Sequence, residues 1–385
     1  MKFETKTLGI LGGGQLGRMS ALAAARLGIA VHIYTPEENS PASQVAARTF
    51  IGSYDDKKKL REFAESVDVV SYEFENIPVD TIRFIQKITP VHPDDRLLEV
   101  SQNRIAEKQF LNDIGIPTTR FAAIRDVRDV NKFVNDTGSS EYILKTARFG
   151  YDGKGQVFCR ADDDSRAKLK SLNSDEIIIE EQVDFACEIS VIIARDKLGQ
   201  TALYGPMLNE HKNHILAQTT VPAPIPEQLA EKAQEMTRLL ADAVDLVGVL
   251  ALEMFITKDG RILANEIAPR THNSGHWTID ACAVSQFEQH VRTVCGMTVG
   301  LPGRHSDAVM INLIGRDINK LDKYYEMKGA CVHLYGKSDI REGRKMGHVT
   351  ILKELDENEK RHIDADPDVR LAYEGAEGRP HRQTS

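Results

Sequence analysis

Cysteine is scarce in this sequence, and its spacing gives no sign of a disulfide framework or a thiol-based metal site. The 385 residues include five cysteines, at positions 159, 187, 282, 295 and 331. No two of them lie within four residues of each other, so the spacing of a zinc ribbon or a redox pair is missing. We interpret them as scattered reduced thiols.

The sequence also lacks a membrane-length apolar run, an N-terminal signal segment and an excess of basic residues. Residues 246–252 are typical of its short apolar runs, and residues 1–7 alternate in charge. The net charge is −8, whereas nonspecific binding of nucleic acid requires a basic surface. We therefore expect a cytoplasmic protein that binds neither membrane nor nucleic acid. Small anionic substrates remain compatible, because a local basic pocket can exist in an acidic protein.

Strands and helices alternate in the first hundred residues. The hydrophobic pattern predicts strands at 7–11, 29–34 and 67–71, with helices at 15–27 and 57–65 between them. This alternation is typical of a parallel, doubly wound sheet. Later segments predict helices at 104–114 and 228–244 and strands at 141–146, 176–179, 248–256, 261–266, 308–313, 330–335 and 348–352. The length of the chain suits two or three domains that share an interface.

A glycine-rich turn follows the first predicted strand. Gly12-Gly13-Gly14-Gln15-Leu16-Gly17 fits the G-x-G-x-x-G pattern of dinucleotide-binding proteins, and Glu37 stands where a ribose-binding acid is expected. Physically, the motif indicates a close backbone approach and a helix N-terminus that can bind an anion. The alternative is a tight turn that only lets the helix pack on the sheet. We keep the anion site but do not favour a dinucleotide, because the remaining chain supplies other nucleotide-binding features.

Two glutamates are predicted to face each other across a hairpin. Asp259-Gly260 is a preferred dipeptide of two-residue type I′ turns. If these two residues form the loop, Glu253 lies opposite Glu266, with Cβ atoms about 4.5–5.5 Å apart. Two such carboxylates repel each other, and a Mg²⁺ ion shared with nucleotide phosphates would compensate. A solvated strand face is the alternative, but each glutamate interrupts an apolar strand, which favours a site.

Lys145 and the loop that follows it are candidates for binding phosphates. Lys145 ends a predicted strand, and Gly150-Tyr151-Asp152-Gly153-Lys154-Gly155-Gln156 begins five residues later. Glycines allow backbone N–H groups to close over phosphates, and the lysine supplies a positive charge. No Walker A sequence occurs in the chain. For the loop alone, a hairpin tip with surface lysines is the simpler interpretation.

A basic segment follows the second glutamate of the pair. Arg270, His272, Asn273 and His276 lie within ten residues of Glu266. A cationic loop with hydrogen-bonding groups beside a metal suits a small anion and the charge that develops on a transferred phosphoryl group. A lone histidine is usually structural, but two histidines and an arginine so close to the predicted metal favour a function.

Two weaker signals remain. The apolar run at 177–179 continues into Glu180-Glu181-Gln182-Val183, whose backbone could face adenine, with Glu188 near the ribose; a strand that ends in a solvated loop is the alternative. Near the end of the chain, Lys337 and Arg344 could bind a phosphate or belong to a solvated basic turn.

Together these features resemble the ATP-grasp superfamily and, within it, the N5-carboxyaminoimidazole ribonucleotide synthetase family. The resemblance extends from residue 8 to about residue 350, and the matching segments keep the family's order. They are residues 12–19, 73–77, 150–156, 265–266, 269–276, 335–337 and 343–348. Thr271 departs from the family, which commonly has proline there; this affects the rigidity of the loop rather than the chemistry.

The resemblance implies an α/β protein, α+β in part, with the ATP-grasp fold. Its N-terminal doubly wound, parallel-sheet domain would span residues 1–107. The ATP-grasp region would span 108–296, with a mobile lid near 121–184, and a small β-rich C-terminal domain would span 297–355. We also expect a charged, disordered tail at 356–385, because this segment is rich in charged residues, proline, glycine and serine.

The resemblance also implies roles for individual residues. The residues expected to contact ATP are Arg104, Lys145, Gly150, Tyr151, Asp152, Gly153, Lys154, Gly155, Gln156, Glu180, Glu181, Gln182, Val183, Glu188, His211, Asn265 and Glu266. Glu253 and Glu266 would hold Mg²⁺. The catalytic residues around bicarbonate or carboxyphosphate would be Tyr151, Arg270, His272 and Asn273. The ribonucleotide would lie against Gly14, Gln15, Leu16, Glu73, Asn76, Lys337 and Arg344.

The activity implied is the ATP-dependent carboxylation of 5-aminoimidazole ribonucleotide by bicarbonate in purine biosynthesis, and a homodimer is usual for the family. Three alternatives remain. One is a sister ligase, the formate-dependent glycinamide ribonucleotide transformylase, although Glu73-Phe74-Glu75-Asn76 favours the carboxylating enzyme. A nicotinamide-dependent dehydrogenase would rest on the glycine motif alone. A non-catalytic nucleotide-binding regulator would have no need of the paired glutamates.

Overall fold

The computed structural model describes residues 6–150 and 154–353. Loop residues Tyr151, Asp152 and Gly153 and the expected tail at 356–385 lie outside the described residues. The strands are β1 Thr7–Leu11, β2 Ala30–Thr35, β3 Arg48–Ile51, β4 Val69–Tyr72, β5 Phe121–Ile124, β6 Glu141–Thr146, β7 Gln156–Arg160, β8 Ile177–Glu181, β9 Phe185–Arg195, β10 Thr201–Lys212, β11 Ile215–Val221, β12 Gly248–Thr257, β13 Ile262–Ala268, β14 Asp307–Ile314, β15 Ala330–Leu334 and β16 Lys345–Lys353.

The helices lie between these strands and cover the faces of the sheets. They are α1 Gln15–Arg26, α2 Lys57–Ala64, α3 Val79–Ile85, α4 Asp95–Ser101, α5 Arg104–Asp113, α6 Val127–Thr137, α7 Ser165–Leu172, α8 Glu227–Ala243, α9 Thr278–Ala281, α10 Gln286–Val294 and α11 Leu321–Tyr325. Short 3₁₀ turns occupy Asn273–Gly275 and Gly315–Lys320. None of the helices in the described part of the chain is long and apolar enough to cross a membrane.

The N-terminal region is a four-stranded parallel sheet in the order β3-β2-β1-β4. Since β1 pairs in parallel with both β2 and β4, the glycine-rich turn after β1 lies beside the end of β4. Helix α1 begins directly after this turn and packs its apolar face on α10 through Leu16, Met19 and Phe287. The predicted parallel, doubly wound sheet is confirmed. The hydrophobic pattern did not predict β3, a four-residue strand.

The centre of the molecule is an eight-stranded sheet in the order β13-β12-β9-β10-β11-β14-β16-β15. Neighbouring strands in it are antiparallel. The C-terminal strands β14 to β16 continue this sheet through the pairing of β14 with β11. The C-terminal region is therefore β-rich as predicted, but its strands extend the central sheet instead of forming a sheet of their own.

A second antiparallel sheet, in the order β5-β8-β6-β7, occupies most of the segment predicted to be a lid. Helices α6 and α7 cover one face of it, and its core contains Val130, Phe133, Tyr142 and Leu144. Strand β8 lies between β5 and β6, which explains why Ile177–Glu181 reads as a continuous apolar run that ends in acids. The movement of this sheet remains a prediction.

The hairpin of β12 and β13 differs from its prediction in a specific way. Gly260 has a φ of +79°, and Thr257 accepts its N–H at 2.9 Å, so the loop contains three residues rather than two. Near the tip, Ile256 therefore pairs with Ile262, one residue out of the predicted register. A bulge further along restores the register, and Glu253 pairs with Glu266 as predicted. The type I′ turn was wrong, and the pairing of the glutamates is confirmed.

Candidate active site

The paired glutamates Glu253 and Glu266 form the centre of the site. They stand opposite each other on β12 and β13, and each has one ion-pair partner among the described residues. Glu253 Oε1 lies 2.8 Å from His272 Nε2. Burial opposes the charge of Glu253, but His272 more than offsets it and lowers the pKa of the carboxyl to about 2. Glu266 is more accessible, with 40% of its side chain exposed, and its Oε2 lies 3.2 Å from Arg104 Nη1.

The loop after β13 brings His272 to Glu253, and Asn273 follows it in the same loop. His272 caps the 3₁₀ turn Asn273–Gly275, and its Nδ1 lies 2.8 Å from Ser274 Oγ, which fixes the ring with Nε2 toward Glu253. The Asn273 side chain has both Oδ1 and Nδ2 buried, and neither atom has a hydrogen-bond partner among the residues that the structure describes. An unpartnered buried amide costs free energy unless a ligand satisfies it.

Arg270 connects this loop to the N-terminal region. Its Nε donates to Glu75 Oε2 at 2.6 Å, and Glu75 lies in the turn after β4. Burial opposes the charge of Glu75, but the guanidinium outweighs it, and the pKa of the carboxyl is lowered. The predicted Arg270 thus lies in the site as a paired cation. Glu75 belongs to the matching segment 73–77, but the sequence analysis assigns no role to it.

His276 does not belong to the cationic group. It is 1% exposed, its ring packs 4.8 Å from the His348 ring, and burial lowers its pKa well below the usual histidine value. Ligand atoms of Asp280, His333 and His348 lie within 4.8 Å of one another, the spacing of a possible metal group. However, the rings of His333 and His348 stack at an interplanar angle of 11°, so their nitrogen lone pairs do not converge. We interpret this cluster as packing between α9 and the C-terminal strands.

Lys145 and Glu180 form a buried ion pair in the lid sheet. Lys145 Nζ lies 2.7 Å from Glu180 Oε2, and Lys108 Nζ approaches Glu180 Oε1 to 3.7 Å. Burial alone would raise the pKa of Glu180, but the two ammonium groups lower it to about 2. The two residues predicted to contact ATP thus lie side by side, and Lys145 is paired with Glu180 rather than standing as an isolated charge. Their contact with ATP remains a prediction. Glu181 turns away, and its carboxylate binds Arg120 at 2.6 and 2.7 Å.

Glu188 and His211 are brought together across β9 and β10. His211 Nδ1 and Glu188 Oε2 form an ion pair. Burial opposes protonation of His211, but the Glu188 carboxylate outweighs it and raises the pKa of the imidazole. Glu253 and Glu266 raise it further, which places His211 near the paired glutamates. These two residues were predicted to contact the nucleotide; Glu188 lies on β9, which pairs with β12, and His211 lies on β10, the strand beyond β9.

Helix α5 begins at the site with Arg104. Its Nη1 contacts Glu266, and its Nη2 donates to Gly150 O at 3.2 Å, so one side chain joins the glutamate pair to the glycine-rich loop. Gly150, Lys154, Gly155 and Gln156 border that loop, whereas Tyr151, Asp152 and Gly153 lie outside the described residues. Gln182 and Val183 lie in the loop between β8 and β9, and their contact with adenine remains a prediction.

At the N-terminal glycine turn, the anion is supplied by the protein itself. Glu73 Oε1 accepts the N–H of Gly14, and Glu73 Oε2 accepts that of Gly17 at 3.0 Å. A Cβ atom on Gly12 would lie 2.4 Å from Glu73 Cγ, which explains the need for glycine there. The N–H groups of Gly14 and Gly17 are therefore not free to bind a dinucleotide pyrophosphate. The Leu16 side chain is buried in the core, so only its backbone is available to a ligand.

Lys337 and Gln15 lie together beside this turn. Lys337 Nζ donates to Gln15 Oε1 and to the carbonyl of Lys345, both at 2.8 Å. Burial, reinforced by Arg344, lowers the pKa of Lys337 to about 8. The Arg344 guanidinium donates to Asp339 O at 3.2 Å. The structure thus brings Gln15, Lys337 and Arg344 to one place, and half-buried Asn76 lies in the turn after β4.

Two further residues contact the site and were missed. Glu107 is 2% exposed, and its Oε1 accepts the N–H of Ile267 at 2.6 Å; Lys108 is 1% exposed, and its Nζ donates to Asn265 O at 3.1 Å. Burial, together with the nearby Glu266, raises the pKa of Glu107 to about 8. The sequence does contain a sign of their location: Glu107 and Lys108 follow Arg104 by three and four residues. Positions with this spacing share one face of a helix.

Comparison with known proteins agrees with this geometry. Residues 5–102 match the ribonucleotide synthetase preATP-grasp domain, residues 109–287 the ATP-grasp domain, and residues 308–361 the phosphoribosylaminoimidazole carboxylase C-terminal domain. The N5-carboxyaminoimidazole ribonucleotide synthase of Brucella melitensis is 49% identical over 349 residues, which cover 90% of this chain and 96% of that protein. The chain belongs to the N5-carboxyaminoimidazole ribonucleotide synthase family.

Solved structures of the family have the same architecture. An N5-carboxyaminoimidazole ribonucleotide synthetase in complex with ADP is 40% identical, has a TM-score of 0.88 and covers 97% of this chain and 98% of its own. The Aspergillus clavatus enzyme in complex with ADP and 5-aminoimidazole ribonucleotide is 29% identical, has a TM-score of 0.85 and covers 95% of this chain and 98% of its own. The predicted family and the ATP-grasp fold are confirmed, and the chain is an ATP-grasp ligase.

Proposed function

We propose that this protein uses ATP to carboxylate 5-aminoimidazole ribonucleotide with bicarbonate, giving N5-carboxyaminoimidazole ribonucleotide, ADP and phosphate in purine biosynthesis. The observation that carries the proposal is the Glu253–Glu266 pair, with the Asn273 amide on the adjacent loop, which is buried and has no partner among the described residues. The membership in the family and the bound ligands of the Aspergillus clavatus relative support the choice of substrates.

ATP would lie between the lid sheet and the central sheet. The backbone after β8, from Glu180 to Val183, would face adenine, and Glu188 with His211 would lie near the ribose. Lys145, Arg104 and the loop from Gly150 to Gln156 would hold the phosphates. The pairing of Lys145 with Glu180 at 2.7 Å supports this placement, because it fixes the lysine side chain before the nucleotide arrives.

The donor set of the glutamate pair fits Mg²⁺. Carboxylate oxygens are the ligands that this ion prefers, and Glu253 and Glu266 face each other in direct register. The low pKa of Glu253, about 2, keeps that carboxylate charged throughout the physiological range. Asn265 stands beside the pair and would contact the nucleotide. When bound, Mg²⁺ would neutralise the negative charge of the phosphates during transfer.

The ribonucleotide would lie against the glycine turn and the C-terminal strands. Lys337 and Arg344 would bind its phosphate together with Gln15 and the backbone of Leu16. Glu73 and Asn76 would contact the rest of the nucleotide. The Gly14 N–H already binds Glu73, so its part in this site is to position that carboxylate. The lowered pKa of Lys337 supports an anion here, because a phosphate restores the stability of the charged ammonium.

The chemistry consists of two displacements. An oxygen of bicarbonate attacks the γ-phosphorus of ATP, so that ADP leaves and carboxyphosphate forms. The exocyclic amine then forms a bond to the carboxyl carbon, either directly from carboxyphosphate or after its breakdown to CO₂; phosphate leaves, and the amine loses a proton. Arg270, His272, Asn273 and Tyr151 would surround the bicarbonate. Arg270 is paired with Glu75 at 2.6 Å, which orients its guanidinium while both remain charged.

Closure of the lid would exclude water from the labile acyl phosphate. The lid sheet contacts the rest of the site through side chains such as Arg104, whose Nη2 donates to Gly150 O at 3.2 Å, and Lys108, whose Nζ lies 3.7 Å from Glu180 Oε1. A homodimer and a cytoplasmic location remain predictions of the family resemblance and of the sequence composition.

The experiment is the substrate dependence of ADP release, followed in a coupled assay. Release should be stimulated by 5-aminoimidazole ribonucleotide with bicarbonate, and not by glycinamide ribonucleotide with formate. Stimulation by the second pair alone would overturn the proposal, as would tight binding of NADH without binding of MgATP. A Glu266→Gln preparation purified in the same way controls for contaminating ATPases and should release no ADP.

A further inference from the structure

The bulge in β13 is the local feature that brings the two glutamates into register. Met254 pairs with Ala264, whereas Glu253 pairs with Glu266, so Asn265 is the extra residue between them. A bulge of this kind takes backbone groups out of the regular ladder. Buried backbone groups without partners are costly, and the groups on either side of Glu266 therefore need bonds from elsewhere in the protein.

Helix α5 supplies these bonds from one face. Lys108 Nζ donates to the carbonyl of Asn265 at 3.1 Å, and Glu107 Oε1 accepts the N–H of Ile267 at 2.6 Å. Both bonds join residues about 160 positions apart in the chain. Together they hold the backbone immediately before and immediately after Glu266.

Glu107 and Lys108 are both buried, although each carries an ionisable group. Glu107 is 2% exposed and Lys108 is 1% exposed. Removing an ionisable group from water is expensive, and apolar side chains of similar size often stabilise a fold better. The hydrogen bonds to the backbone at the bulge compensate for this cost. Lys108 is stabilised further by an ion pair with Glu180, whose Oε1 lies 3.7 Å from Lys108 Nζ.

We propose that Glu107 and Lys108 are positioning residues, which hold the β13 bulge so that the Glu266 carboxylate stays opposite Glu253. They would touch neither the metal nor the nucleotide, and they would set the affinity for the metal complex of the nucleotide through Glu266. This inference rests on the proposed function, because it takes the glutamate pair to be the Mg²⁺ site.

The test compares Glu107→Met with Glu107→Gln in calorimetric titrations with ADP, with and without Mg²⁺. Methionine removes the acceptor of the Ile267 N–H, whereas glutamine retains a carbonyl oxygen. For Glu107→Met we expect the Kd of MgADP to rise at least about tenfold, and that of metal-free ADP to change less than about threefold. Glu107→Gln should stay within about threefold of wild type for both ligands. In turnover assays of Glu107→Met, the Mg²⁺ concentration that gives half the maximal rate should rise relative to wild type. The fold-increase in this concentration should exceed the fold-decrease in kcat.

Glu288→Met is the matched control, because Glu288 is also a buried glutamate, at 5% exposed, and binds Arg292 on α10 instead of the site. Its affinity for MgADP should equal that of wild type. Lys108→Met provides an independent variant should Glu107→Met fail to fold, and it should weaken MgADP binding selectively in the same way.

Equal losses of MgADP and metal-free ADP binding in the folded variants would overturn the inference, because they would indicate general damage to the packing. Wild-type MgADP affinity in both Glu107→Met and Lys108→Met would overturn it as well. Failure of the wild-type protein to carboxylate aminoimidazole ribonucleotide would contradict only the proposed function, since the nucleotide titrations do not depend on that substrate.

Discussion

The two acidic sites of this protein, at the glycine turn and on the β12–β13 hairpin, differ in how their carboxylates are used. At the turn, both oxygens of Glu73 accept backbone N–H groups, from Gly14 and Gly17. On the hairpin, Glu266 has 40% of its side chain exposed and one ion-pair partner among the described residues. The recognisable motif is thus satisfied internally, whereas the pair without a familiar motif keeps oxygens available for a cation.

This comparison shows that a short glycine motif predicts a backbone conformation but not the group that the backbone binds. G-x-G-x-x-G describes the backbone that a close approach requires, and it does not identify what approaches. Here the approaching group is a side chain of the same chain, and a Cβ on Gly14 would lie 2.5 Å from its Oε1. The hairpin pair depends instead on strand register, which determines the chemistry because it decides which side chains can share a ligand.

The largest expected effect follows from Glu266→Gln. The pair loses a charged ligand, so ADP release should fall at least about 100-fold. The midpoint of urea unfolding should change little, because Glu266 is accessible to solvent and, within residues 6–150 and 154–353, has Arg104 as its one ion-pair partner. Turnover close to that of wild type at ordinary Mg²⁺ concentrations would show that the carboxylate of Glu266 is not needed to hold the cation.

At the glycine turn, Gly12→Ala should act on stability. Gly12 has a φ of +108°, and a Cβ there would lie 2.4 Å from Glu73 Cγ. We expect a loss of about 2–4 kcal/mol in the free energy of unfolding, measured in urea. Gly28→Ala is the control, because Gly28 has a φ of +70° and, in the described part of the chain, no atom lies within 4 Å of the added Cβ. Equal losses in both variants would show that contact with Glu73 has no part in the effect.

A smaller effect concerns the charge beside the turn. Burial and Arg344 lower the pKa of Lys337 to about 8, so the side chain loses its positive charge as the pH rises through this value. If Lys337 binds the substrate phosphate, kcat/KM for the ribonucleotide should fall above about pH 8, approaching tenfold per pH unit. Lys337→Arg keeps its charge and should remove this decline, while KM for ATP stays constant as the internal control. An unchanged alkaline decline in Lys337→Arg would exclude this role.

Much of the fold was accessible from the sequence because its elements have strong hydrophobic periods. Strands at 7–11 and 141–146 coincide with β1 and β6, and the helix predicted at 104–114 ends one residue beyond α5. By contrast, the hydrophobic pattern did not predict β3, which has four residues, or the longer strands β9, β10 and β11 of the central sheet. The extension of the central sheet by β14 depends on pairing with β11, a contact between segments that are distant in sequence.

The candidate site shows the same division. The pairing of Glu253 with Glu266 was predicted correctly from an incorrect turn, because the longer loop and the bulge at Asn265 shift the register in opposite directions. A bulge leaves no local signal in a single sequence, and the roles of Glu107 and Lys108 depend on it. The pairing of Arg270 with Glu75 was equally hidden, because these residues lie 195 positions apart. The local sequence pattern therefore identified which residues belong to the site. Their hydrogen-bond and ion-pair partners depend on tertiary contacts, which the pattern does not show.

The most direct test of the glutamate pair is a Mn²⁺ titration followed by electron paramagnetic resonance, with Mn²⁺ replacing Mg²⁺, in the presence and absence of ADP. In the wild-type protein, ADP should create at least one tight Mn²⁺ site per chain, and Glu253→Gln and Glu266→Gln should each weaken that site at least about tenfold. Nucleotide-dependent Mn²⁺ binding that is unchanged in both variants would contradict the account, because the ion would then be held by other residues.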